Sequence, residues 1–315
     1  MQTKRSQGAE QDRTRRFDDL YHLLYHDDWL RTAQAHVRQN AGSRTAGGDG
    51  VVMRSFEEHL EGHLTRLGED LKTGRFEPQA VRRTYIREMK AGGRIKMRPL
   101  GIPAMCDRIV QEALRRILEP IWEADVSRHS YGFRPNRSTK DAVAYIGARL
   151  AGGRRAAFGW IIEGDIQSVF DTIDPLKLMP RLRGRIKDKK VLSLVWKFLR
   201  TEMMEQGALR HSGLGTPQGG LLSPLLANSY LHELDRYMER DTEITRLDRR
   251  KRKGRGLAHF RYVRYADDCA PRAQRRPKGP SECVTVQPMR GGPSEPACRS
   301  RFQTTSGCCG QKPWW

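Results

Sequence analysis

Long apolar runs are missing from this 315-residue chain. No stretch approaches the ~20 apolar residues of a membrane-spanning helix. The polar start, Met1 to Gln11, lacks the apolar core of a secretion signal. Both absences lead to the expectation of a cytoplasmic protein with no membrane partner. Cysteine is scarce: of the six, Cys106 and Cys269 lie in the body and the other four lie in the tail. None is spaced as C-x-x-C, which removes the commonest zinc pattern. No Gly-Lys-Ser/Thr follows a glycine-rich loop, so Ala46-Gly47-Gly48-Asp49-Gly50 is a plain loop and not a Walker phosphate cradle. Negative charge is short as well. With 37 Asp and Glu against 58 Lys and Arg, the net charge is +21, the footprint of a protein that binds a polyanion, most simply nucleic acid.

Where acids do occur, two stretches stand out. Phe260-Arg261-Tyr262-Val263-Arg264-Tyr265 alternates like a strand and runs into Ala266-Asp267-Asp268. Adjacent carboxylates repel by roughly 1 kcal/mol in water at about 4 Å, and by about 4 kcal/mol at the effective dielectric near a protein surface. A divalent cation reverses that sign. About a hundred residues earlier, Trp160-Ile161-Ile162-Glu163-Gly164-Asp165-Ile166 reads as a buried strand ending in an acid. Asp165 would then face Asp267 across a sheet. An oxygen-only donor set suits Mg²⁺, and two such ions serve both polymerases and nucleases. The pattern therefore implies phosphoryl transfer without deciding which kind.

The remaining segments supply a frame. Phe56, Leu60, Leu64, Leu67 and Leu71 recur at helical spacing over 55–72. Val81 to Ile86 and Arg94 to Pro103 form a hairpin around Ala91-Gly92-Gly93, placing Arg94, Lys96 and Arg98 on one face that suits a triphosphate. Asp107 caps an apolar helix that Pro120 ends. Ser130 to Arg137 is an irregular loop of aromatics and cations suited to bases and phosphates, and Ser138-x-x-Asp141 resembles a capping box. Asp174-Pro175 reads as a helix start, which makes Asp171 and Asp174 structural. Leu214 to Gly220 is glycine-rich, and Ser223-Pro224 opens the next helix. Arg249 to Arg255 is the densest charge run and reads as a nucleic-acid-contacting loop.

Taken together, these blocks resemble the group II intron-encoded reverse transcriptase/maturase family. The match rests on Arg98-Pro99-Leu100-Gly101-Ile102-Pro103 with Asp107-Arg108-Ile109-Val110-Gln111, Tyr131-Gly132-Phe133-Arg134-Pro135, Gly164-Asp165-Ile166 with Phe170-Asp171, Thr216-Pro217-Gln218-Gly219-Gly220 with Ser223-Pro224, and Tyr265-Ala266-Asp267-Asp268. The resemblance implies an α+β right-hand polymerase, with fingers and a palm of antiparallel sheet backed by helices. It divides the chain into a helical, basic N-terminal extension (1–75), fingers and palm (76–268), and a tail (269–315). By the same resemblance Asp165 and Asp267, with Asp268 beside them and the Ile166 carbonyl, hold Mg²⁺. Phe170 excludes a 2′-OH, Gln218 and Gly219 line the nucleotide site, and Lys96 and Arg98 meet its phosphates. The implied partners are an intron RNA template, a DNA primer or target, and deoxynucleoside triphosphates. The implied activity is RNA-directed DNA synthesis, with a maturase role in splicing and mobility.

The tail departs from the family. Where an apolar strand should follow the two aspartates, Cys269-Ala270-Pro271-Arg272 follows, and residues 271–315 hold seven of the sixteen prolines. No thumb, DNA-binding or endonuclease domain is recognisable. The expectation is a truncated member whose tail is disordered and reads like a shifted frame. The competing expectation for the polypeptide is a non-catalytic RNA-binding remnant.

Overall fold

The computed structural model describes residues 2–89, 93, 95–150, 160–161, 163–166, 168–205, 208–210, 219–242, 244–255, 260–269, 272–273 and 302–303. In chain order come α1 (Gln2–Gln11), α2 (Asp27–Gln39), α3 (Met53–Glu57), α4 (Leu60–Thr73), β1 (Val81–Met89), β2 (Ile95–Ile102) and α5 (Met105–Glu123). Then follow α6 (Thr139–Leu150), β3 (Trp160–Ile161), β4 (Glu163–Asp165), α7 (Val169–Thr172), α8 (Pro175–Arg185), α9 (Lys189–Leu199), β5 (Met203–Glu205) and β6 (Ala208–Arg210). The last are α10 (Ser223–Thr242), α11 (Arg246–Gly254), β7 (Phe260–Arg261), β8 (Arg264–Tyr265), β9 (Asp268–Cys269), β10 (Arg272–Ala273) and β11 (Phe302–Gln303). Helices and mostly antiparallel ladders make this an α+β chain. Two compact units divide it, one of residues 1–126 with 169–230 and one of 127–168 with 231–315.

The first unit is built on α5. Ile109, Val110, Ala113, Leu114 and Ile117 are fully buried and join Leu24, Leu30, Phe56, Leu71, Leu178 and Val191 in one apolar core. The sequence predicts that Pro120 ends α5, but the helix runs through it to Glu123. An interior proline costs about 3 kcal/mol, and burial of Ile121 and Trp122 just beyond it offsets that loss at ~1.5–3 kcal/mol per large apolar side chain. Nor is Asp107 the cap. Asp49, in the loop read as plain, accepts the Met105 amide at 3.1 Å, while Asp107 sits buried in the first turn and accepts the Gln79 amide at 2.9 Å. The helix expected over 55–72 is interrupted at Glu58 and His59. Asp174 does cap α8, accepting the Leu176 amide at 2.8 Å. A sheet ordered β2-β1-β5-β6 flanks this core, with β1 antiparallel to β2 and parallel to β5.

The second unit holds two small sheets, ordered β3-β10-β7 and β11-β4-β9-β8. Tyr131, Ala142 and Val263 pack together at one place, and Met238, Tyr262 and Cys269 at another. The capping box at α6 is present, with the Ser138 amide donating to Asp141 at 2.7 Å and the Asp141 amide to Ser138 Oγ at 3.3 Å. The charge run expected as a loop is helical in α11. Thr245 accepts the Asp248 amide at 3.1 Å to start it, and the Arg and Lys that follow are strong helix formers. Of the tail, Cys269, Arg272–Ala273 and Phe302–Gln303 form short ladder pairs. The expectation of a disordered tail otherwise falls outside the described residues.

Candidate active site

In the second unit, β8 and β9 are the arms of a tight hairpin. Tyr265 pairs with Asp268, leaving Ala266 and Asp267 as a two-residue turn. Ala266 has φ +56°, a left-handed conformation that costs a non-glycine residue about 1–3 kcal/mol. Against β9 lies β4, with Gly164 opposite Cys269 and Asp165 opposite Asp268. Just beyond the ladder the Ile166 amide donates to the Asp267 carbonyl at 3.2 Å. The backbone thus brings Asp165, Ile166, Asp267 and Asp268 to one end of one sheet. Asp267 is half-buried and Asp268 exposed. Cys269 contributes no thiolate, because burial pushes its thiol up to about 12.

Two further contacts hold the turn. Arg264 is fully buried and donates to the carboxylate of Asp235, also fully buried, from Nε at 2.8 Å and Nη2 at 2.7 Å. Its Nη1 donates to the Ala266 carbonyl at 2.8 Å, and the Tyr262 hydroxyl donates to Asp235 at 2.9 Å. Burial pulls the guanidinium pKa down, but the hydrogen bonds and charge of Asp235 more than reverse this and leave it raised. Burial also raises the Tyr262 hydroxyl well above its ordinary value, so it remains a donor. On another side the loop 129–131 lines up with β8. The Arg264 amide donates to the His129 carbonyl and the Tyr131 amide to the Arg264 carbonyl, each at 2.9 Å. A Cβ on Gly132 would lie 2.3 Å from the Ala266 amide nitrogen.

In the first unit, β2 carries Lys96 and Arg98 two positions apart, opposite Glu88 and Ile86 of β1. Both cations are exposed, and Arg98 lies 3.9 Å from Glu88. At the base of this hairpin is Gly219, at φ +115°, where a Cβ would meet the Gly101 carbonyl at 2.3 Å. The loop carrying Gly219 and the strand carrying Lys96 and Arg98 are therefore in contact. Phe170, on α7, packs half-buried against the apolar core. Gln218 and Arg94 lie outside the described residues.

A sequence model of the reverse transcriptase (RNA-dependent DNA polymerase) family matches residues 89–283, more than half the chain. The chain belongs to the reverse transcriptase family. Among similar proteins, group II intron-encoded protein LtrA of Lactococcus lactis subsp. cremoris is 38% identical over 233 residues, 74% of this chain and 37% of that protein. Protein YkfC of Escherichia coli (strain K12) is 39% identical over 238 residues, 76% of this chain and 61% of YkfC. The chain thus spans less than two thirds of either relative. A solved partial Cas6-RT-Cas1–Cas2 complex aligns at 21% identity with a TM-score of 0.48, over 80% of this chain and 38% of that one. LtrA, to which the chain is similar, is a group II intron-encoded protein.

In the loop expected to grip nucleic acid, two cations hold backbone carbonyls. Arg134 donates to the carbonyls of Ser127 and Ser130 at 2.6 and 2.7 Å. Arg137 donates to the Arg128 carbonyl at 2.7 Å and lies 5.1 Å from the Tyr131 ring centre. An irregular loop leaves carbonyls without ladder partners, and these guanidinium groups fill them. Sequence reading missed the Asp235–Arg264 pair. The available signal was Asp235 itself, a carboxylate between Leu231 and Met238 on the apolar stripe of α10. Among the described residues no membrane-crossing helix occurs.

Proposed function

We propose that this chain carries the fingers and palm, residues 76–268, of a group II intron-encoded reverse transcriptase, and that it extends a DNA primer on an RNA template. The supporting observation is the β4–β9 register, which brings Asp165, Ile166, Asp267 and Asp268 together although about a hundred residues separate them. Their oxygen donors fit Mg²⁺, a hard cation that takes carboxylates, carbonyls and substrate phosphates. Bound Mg²⁺ would stabilise charge on the attacking and leaving oxygens of an in-line displacement. The rest falls to the polypeptide. Asp165, Asp267 and Asp268 hold the cation, with the Ile166 carbonyl as a further ligand. Phe170 sits under the sugar and excludes a 2′-OH. Gln218 and Gly219 line the nucleotide site, and Lys96 and Arg98 meet the triphosphate. Intron RNA is bound by the basic surfaces, mostly through phosphates and shape, and this supports the maturase role.

The test is primer extension on an RNA template with Mg²⁺ and deoxynucleotides, beside Asp267→Ala. The expected result is extension by the parent and a loss of at least a thousandfold in the variant. Equal extension by both would remove the assignment. Binding of RNA with no extension by the parent would leave only the RNA-binding role.

A further inference from the structure

Resting on the cation-site reading above, we propose that Asp235 and Arg264 are positioning residues for the two-aspartate turn. Arg264 orients the peptide that enters Asp267, and Asp235 orients Arg264. Each peptide plane flanking Asp267 is anchored through its carbonyl. The Ala266 carbonyl, on the plane before it, accepts from Arg264 Nη1 at 2.8 Å. The Asp267 carbonyl, on the plane after it, accepts from the Ile166 amide at 3.2 Å. Together these planes fix φ and ψ of Asp267, and so the direction in which its carboxylate leaves the turn. The first plane sets φ of Asp267, and with Ala266 at φ +56° the turn has two orientations of this central peptide open to it, types I′ and II′, which differ in that angle.

The chemistry of the pair fits this task better than simple cohesion. Both side chains are wholly buried, and removing two charges from water costs so much that an apolar pair of similar volume is often as stable or more so. Only a guanidinium offers what the geometry uses: two N–H groups to one carboxylate and a third, from the same rigid plane, to a carbonyl. Lysine keeps the charge but cannot hold both partners in fixed directions. Tyr262 occupies one more lone pair of Asp235, which limits rotation of the carboxylate and hence of the guanidinium.

The experiment compares the parent with Asp267→Ala, Arg264→Lys, and the apolar pair Asp235→Leu with Arg264→Met. Three quantities are read for each: the melting temperature, Mn²⁺ affinity by electron paramagnetic resonance without nucleic acid, and kcat and KM for a deoxynucleotide in primer extension. The apolar pair takes the Asp235 acceptor from the buried Tyr262 hydroxyl and is therefore expected to fold but melt below the parent, to bind Mn²⁺ at least tenfold more weakly, and to lose at least tenfold in kcat with KM changed less than threefold. Arg264→Lys is expected to show the same losses, and it decides alone if the apolar pair does not fold. Unchanged Mn²⁺ affinity and kcat in either folded variant, with Mn²⁺ binding weakened by Asp267→Ala, overturns the positioning role and leaves the site standing. Unchanged Mn²⁺ affinity in Asp267→Ala overturns the cation site and the inference with it.

Discussion

Gly132 shows how one absent methyl group shapes the candidate site. Its backbone lies so close to Ala266 that a Cβ would sit 2.3 Å from the amide nitrogen and 2.9 Å from the Cα. Both are backbone atoms of the turn, so the clash cannot be relieved by rotating a side chain. Gly132→Ala is expected to destabilise the protein by about 1–3 kcal/mol, the usual cost of overpacking, and to lower primer extension at least tenfold. Thermal unfolding and extension assays check this, and a variant with neither change would show that the turn is not held there. The residues proposed to bear the chemistry stand out in the sequence because two acidic stretches, one ending at Asp165 and one at Asp267 and Asp268, each follow a strand-like run. Those that support them do not. Gly132 and Asp235 act through contacts with residues far along the chain, and nothing in their immediate neighbours points there.

Among the elements, α5 carries an electrostatic cost inside the first unit. Asp107 is buried, and burial pushes its carboxyl up to about 7; the Gln79 amide pulls it back, Asp49 raises it further and Arg108 lowers it. Unfolded, the same group titrates near 4. The folded protein therefore holds this proton over a range in which the unfolded chain has released it. Stability from this residue is highest below pH 4, falls as pH rises toward 7, and is level above. Asp107→Asn keeps an acceptor for the Gln79 amide and removes the titration. The variant should gain about 2 kcal/mol over the parent between pH 5 and pH 8, measured by denaturant unfolding at both values. A constant difference at the two pH values would contradict the assignment. Caps such as Asp174 and Ser138 with Asp141 were readable because they act within a few residues. The cap of α5 was not, because Asp49 reaches Met105 from a separate loop. The helical state of α11 was obscured by its charge, although its residue types favour a helix.

For the whole molecule, a net charge of +21 makes affinity for RNA a function of salt. Each phosphate contact to a single strand contributes about 0.7 to the slope of log K against log salt. Replacing Arg249, Arg250, Lys251 and Lys253 of α11 with alanine keeps good helix formers in place, and should lower that slope by about one to three. An unchanged slope would assign the RNA contact to other surfaces. The α+β class and the family were legible because the sequence blocks occur in the family's order. The two-unit division was less so: each unit is assembled from two separated segments, and local periodicity carries no record of which segments pack together. The central claim is that Asp165, Asp267 and Asp268 share one cation site. It is tested most directly by the anomalous scattering of Mn²⁺ in crystals of the protein grown with RNA template and primer. A peak is expected at coordination distance, about 2 Å, from carboxylate oxygens of both Asp165 and Asp267. A well-ordered β4–β9 ladder with no peak there, or with the ion held by other residues, would contradict it.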